Sequence, residues 1–126
     1  MQIPVIQPMP FANAPYSRAI FDDEWIFVSG TIGMDYAAHR LASTAAEQTQ
    51  LMLRNIESYL ATCGGTLHNI VNYTLIVSAH EHLPAVIDAL ARHLPCKPTG
   101  TAMIAGIAIP DAYVEMQVIA RKSHQG

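Results

Sequence analysis

The chain carries little charge: Lys, Arg, Asp and Glu make up 13% of its 126 residues, about half the usual share of a soluble domain. The net charge is −3 and the isoelectric point about 6.0. No run of Lys or Arg occurs, so the basic footprint of a nucleic-acid binder is missing. No apolar run approaches the ~18 residues of a membrane span. Two cysteines, Cys63 and Cys96, lack CxxC spacing and read as reduced thiols of a cytoplasmic protein rather than a disulfide or zinc framework. The first ten residues have no basic segment before their apolar ones and so do not read as a secretory signal.

Phosphate and metal motifs are missing as well. Gly30-Thr-Ile-Gly33 and Gly64-Gly65 match neither GxGxxG nor GxxxxGK[ST]. The run Lys97-Pro-Thr-Gly-Thr has the look of a phosphate loop but opens no helix, which removes the dipole that would hold an anion. His80-Glu81-His82 has HxH spacing, whereas two ligands on one helical face stand at i, i+4. No Ser/His/Asp arrangement stands out, and Ser29 lacks the flanks of a nucleophile elbow. Neither a metal nor a cofactor is expected.

What the chain does have is apolar residues, 51% of the total, enough for a core and for a covered surface besides. Met1 to Ala14 is Pro-rich and irregular. Tyr16–Phe21 and Trp25–Ser29, joined by Asp22-Asp23-Glu24, read as a β-hairpin, with Gly30 to Gly33 as its exit. Thr44 with Glu47 three residues on suits a helix N-terminus, and Gly64-Gly65 its end. Val71–Ser78 reads as a strand. Glu81–Leu94 reads as a helix with Pro84 in its first turn and Leu83, Val86, Ile87, Leu90 and Leu94 on one side. Thr101–Ile109 and Tyr113–Arg121 are strands. The order β-β-α-β-α-β-β predicts one α+β domain over residues 1–126, with two helices on one face of a sheet. The other face is apolar and needs a cover, most simply another subunit.

Two positions invite chemistry. In the last strand, alternation puts Tyr113, Glu115 and Gln117 on one face and Val114, Met116 and Val118 on the other. Glu115 is either a solvated or subunit-contact residue or a carboxylate lining a crevice, where it can orient water or move a proton. In "APYSRAI", alternation puts Tyr16 and Arg18 on one face. Arg18 reads equally as a solvated side chain or as a clamp for an anion.

Taken in order, "APYSRAI", "WIFVSGTIG", "AEQTQLMLRNIESYLATCGGTLHNIVNYTLIV" and "IPDAYVEMQVIA" resemble the RidA (YjgF) family over nearly the whole chain. The resemblance implies a chorismate-mutase-like fold, a homotrimer whose sheets form a central barrel, and clefts between subunits. It implies hydrolysis of reactive imines and enamines to 2-oxo acids and ammonia, without a cofactor, on a small-molecule substrate. RNA cleavage, reported for some relatives, sits poorly with the acidic balance.

By the same resemblance Tyr16 is the cleft tyrosine, Ser29 and Gly30 are the S-G pair that closes the second strand, and Glu115 is the glutamate that positions water. Gly100, Thr101 and Ala102 fall where relatives bind substrate. Two departures stand out. Relatives carry P-A-R where this chain reads Pro98-Thr99-Gly100, so Gly100 replaces the arginine that holds a substrate carboxylate and leaves room for a bulkier ligand. Relatives usually carry glutamine at the place of Arg18, which becomes the first candidate for a replacement cation, with Lys97 second. Ile87 stands in for an asparagine of the second helix. The expected function is hydrolysis of an imine, enamine or related unstable intermediate other than simple 2-iminobutyrate. A trimer that only binds a ligand or a partner protein in the same cleft is the alternative.

Overall fold

The computed structural model describes residues 14–122. The Pro-rich segment ahead of Ala14 lies outside them. The first strand, β1 (Ala19–Phe21), turns into β2 (Trp25–Ile32) through a local device. The Asp22 carboxylate accepts from the backbone N–H groups of Glu24 (2.9 Å) and Trp25 (2.7 Å), a side-chain mimic of a backbone turn.

Gly30 to Gly33 does not leave the sheet as expected. Strand β2 runs on to Ile32, and its pairing slips between Val28 and Thr31. One extra residue is accommodated there as a β-bulge, so Val28 and Thr31 both reach the core. A small hairpin follows, β3 (Met34–Asp35) with β4 (Arg40–Leu41), which the sequence did not reveal.

Helix α1 (Ala45–Thr62) starts on Thr44, whose hydroxyl accepts from the Glu47 N–H at 3.1 Å. It ends in a Schellman motif, with Gly64 at φ 87°. Gly65 N–H donates to Leu60 O (2.8 Å) and Gly64 N–H to Ala61 O (3.2 Å). Strand β5 (Ile70–Val77) leads through a 3-10 turn at His80–His82 into α2 (Leu83–His93), then β6 (Thr99–Ile104) and β7 (Val114–Arg121). The expected helix from Glu81 is thus shorter, and the expected strand to Ile109 stops at Ile104.

The main sheet has the order β1-β2-β7-β5-β6. Pairing is antiparallel except between β5 and β6, where α2 makes the crossover a parallel pair requires. Both helices pack on one face, as the α+β reading predicts. Met52, Ile56 and Leu60 of α1 meet Ile26, Leu75, Val77, Val114 and Met116 of the sheet, all fully buried. Each such side chain contributes roughly 1.5–3 kcal/mol. Ile87 departs from the expected apolar stripe: it is exposed, and Ala89 takes the buried place.

The opposite face carries Phe27 and Met103, both exposed, with Ile76 and Ile119 half-buried. Among the described residues no helix is long and apolar enough to cross a membrane.

Candidate functional site

Strand alternation and the bulge together make the site. In β7 the core side holds Val114, Met116, Val118 and Ala120, so Glu115 and Gln117 face away from the helices. Across the ladder, Glu115 pairs with Ile32 and Ile76. The bulge on β2 brings the Gly30 backbone against the Glu115 side chain, and a Cβ built on Gly30 would overlap Glu115 Oε1. A side chain at position 30 would therefore displace the Glu115 carboxylate.

A cavity of 590 Å³ opens here. Tyr16, Ser29, Gly30 and Glu115 line it together, with Arg18, Tyr36 and Gln117. The Ser29 hydroxyl donates to Ser17 O at 2.5 Å, and Ser29 N–H to Arg18 O at 3.0 Å. These bonds tie the segment ahead of β1 to the bulge. Tyr16 and Arg18 lie in that segment rather than in a strand, since β1 begins at Ala19.

Burial pushes the Glu115 carboxyl above the ordinary carboxylate range, and the positive charge of Arg18 partly opposes it. A half-buried carboxylate of this kind accepts a proton more readily than one in water, which suits general-base work.

Arg18 is not a solvated arginine: it is 3% exposed. Its guanidinium donates to the hydroxyls of Tyr36 and of Tyr59, the latter at 2.8 Å, and stacks over both rings with its carbon 5.0 Å from each centroid. Burial alone would lower its pKa. The Tyr59 hydrogen bond and the surrounding tyrosines outweigh that and raise it. Burial likewise holds the Tyr36 phenol protonated, its pKa pushed up to about 12. The Nε of Arg18 is buried without a hydrogen-bond partner among the described residues.

The residues expected on the opening of β6 are elsewhere. Gly100, Thr101 and Ala102 sit on the exposed edge strand and do not line this cavity. Register with β5 puts Gly100 beside Tyr73 and Ala102 beside Leu75, on the helix side, while Thr101 lies beside Thr74 on the open side. A Cβ on Gly100 would lie 2.5 Å from the Tyr73 ring. A side chain at position 100 would therefore meet the Tyr73 ring on the helix side. Lys97 and Ile87 line a separate groove formed by α2, Tyr73 of β5 and the loop from Leu94 to Pro98, and Lys97 does not line the cavity of Glu115.

Tyr36 and Tyr59 escaped the sequence reading. They lie 18 and 41 residues from Arg18, and no local pattern joins them. The available signal was slight: Arg18 is one of five arginines in a charge-poor chain that also holds five tyrosines.

A family model described as endoribonuclease L-PSP matches residues 7–122. A goat (Capra hircus) protein named 2-iminobutanoate/2-iminopropanoate deaminase is 30% identical over 113 residues, covering 88% of this chain and 82% of that protein. The crystal structure of E. coli TdcF with bound serine superposes with a TM-score of 0.86 at 20% identity, over 98% of this chain and 100% of the other. RidA from the Antarctic bacterium Psychrobacter sp. gives 0.84 at 21% identity, over 96% and 99%. The last two establish the fold alone, whereas the family model spans nearly the whole chain. The chain belongs to the endoribonuclease L-PSP family, that of the RidA and YjgF proteins.

Proposed function

We propose that this protein hydrolyses a reactive imine or enamine in the cavity between Tyr16 and Glu115. The observation that carries the reading is Glu115, a half-buried carboxylate set against the Gly30 backbone in a cavity of substrate size. A relative 30% identical and named an imine deaminase supports the reaction class.

In the reaction, Glu115 takes a proton from water as its oxygen bonds to the imine carbon and the C=N π electrons move to nitrogen. The proton then passes to the nitrogen. Glu115 then carries the proton of the new hydroxyl group to the same nitrogen, the C–N bond breaks, ammonia leaves, and the carbonyl forms. Tyr16 shapes the cavity, and Ser29 and Gly30 fix its wall. The working unit is a homotrimer in which the open sheet face, with Phe27 and Met103 exposed, meets other copies. Arg18 supplies the cavity's positive charge.

A second reading, a ligand-binding protein without turnover, draws on β6: the stretch Thr99 to Ile104 has no arginine or lysine. A panel of amino-acid-derived imines and enamines separates the two. Release of ammonia and a 2-oxo acid, lost in Glu115→Gln, is the expected result. Rates unchanged by Glu115→Gln overturn Glu115's role, and binding without turnover favours the second reading.

A further inference from the structure

Arg18 presents an unusual account. A guanidinium is buried to 3% exposure, yet among the described residues its recorded partners are two neutral phenols rather than a carboxylate. Burying a charge without a counter-charge is costly, and among the described residues the Nε also has no hydrogen-bond partner. Tyrosines from two separate elements hold the group: Tyr36 from the hairpin segment after β3, Tyr59 from the last turn of α1. The cation is therefore fixed in position rather than merely tolerated. Arg18 lines the cavity, whose lining residues include one carboxylate, Glu115.

We propose that Arg18, clamped by Tyr36 and Tyr59, is a positioning residue that keeps Glu115 ionised in the cavity, so that the carboxylate is available as a base. This rests on the reading of Glu115 as the working carboxylate. The titratable and charged groups around Glu115 are few. Arg18, Tyr16 and Tyr36 line the same cavity, and Tyr59 lies behind Arg18. The strand neighbours Ile32 and Ile76 and the cavity residues Gln117 and Ser29 carry no charge. Desolvation pushes Glu115 toward its neutral form, and the fixed cation opposes that. Removing the cation leaves desolvation unopposed.

The test is the titration of Glu115 followed by carbon NMR on protein labelled at its glutamate side chains. The Glu115 signal is assigned by its loss in Glu115→Gln. The midpoint should move to higher pH in Arg18→Gln, stay near the native value in Arg18→Lys, and move by a smaller amount in the same direction in Tyr59→Phe. Tyr59→Phe changes one buried hydroxyl, so it remains informative if Arg18→Gln does not fold. Midpoints that coincide in native, Arg18→Gln and Tyr59→Phe proteins overturn the proposal. So does an equal upward move in Arg18→Lys and Arg18→Gln, which would mark a packing effect rather than a charge effect. The readout needs no turnover. A protein inactive on every imine, whose Glu115 still shifts in Arg18→Gln, would sink the hydrolase reading and leave this one standing. An active protein with an unmoved Glu115 would do the reverse.

Discussion

The backbone N–H of Tyr113 donates to Gln48 Oε1 at 2.7 Å, and Gln48 Nε2 donates in turn to the carbonyls of Ala42 (3.1 Å) and Asp111 (3.3 Å). One fully buried amide thereby joins the approach to α1 to the turn that launches β7, two residues before Glu115. Asp111 takes a left-handed φ of 68° in that turn.

Gln48→Ala leaves one N–H and two carbonyls in search of partners. It should destabilise the protein by roughly 2–3 kcal/mol, read as a lower urea midpoint at constant slope. Glu57→Ala on the exposed side of the same helix should stay within about 0.5 kcal/mol.

Two glycines three residues apart should behave differently. A Cβ at Gly30 meets the end of the Glu115 side chain, which can swing away. A Cβ at Gly33 meets the backbone of Gln48, which cannot. Gly30→Ala should fold and lose about 100-fold in kcat through displacement of the carboxylate. Gly33→Ala should cost about 3 kcal/mol of stability or more. Thermal melts and turnover measured on both variants check the contrast.

Glu115 makes stability depend on pH in a defined direction. Its folded-state pKa is raised above the ordinary carboxylate value by burial, with Arg18 opposing. Protonation therefore favours the folded state: the contribution is present below the unfolded pKa and is lost as pH rises through the raised folded value. Glu115→Gln, neutral at every pH, should melt higher than the native protein at neutral pH, and the gap should close as the pH falls below the ordinary carboxylate range. Paired melting curves across that window test it.

An arginine restored to β6 should act according to face. Gly100→Arg drives a side chain into the Tyr73 ring on the helix side and should cost at least about 1–3 kcal/mol. Thr101→Arg projects from the open side and should be tolerated. If either raises turnover of 2-iminobutyrate, it should be Thr101→Arg. A stable, active Gly100→Arg protein would contradict the register.

The parts of the fold that the sequence disclosed are those written in local patterns. Alternation along Val114 to Arg121 placed Glu115 and Gln117 correctly, and Thr44, Gly64 and Gly65 marked the ends of α1 because their signals are short-range. What stayed hidden depends on distant partners. Gly30 and Gly33 punctuate a chain on paper, but in space they answer to Glu115 and Gln48. The β3–β4 hairpin has two residues per strand, too few for any periodicity. Gly100 drew attention by comparison with relatives, while the identity of its neighbour, Tyr73, needed the strand register. Arg18 was visible as a rare charge, yet its tyrosine clamp joins three segments that no window spans.

The bulge between Val28 and Thr31 has a genetic consequence. The strand holds one residue more than its partner opposite, and the surplus is what sets Gly30 beneath Glu115. Loss of a single codon at Ser29 or Gly30 would let the ladder close in regular register, with the core residues on both sides still paired. The chain would keep its architecture and forfeit its cavity wall. Cavity wall and fold are thus separable here by three bases of DNA, which makes this short stretch the place where a well-folded descendant without that wall would most easily arise.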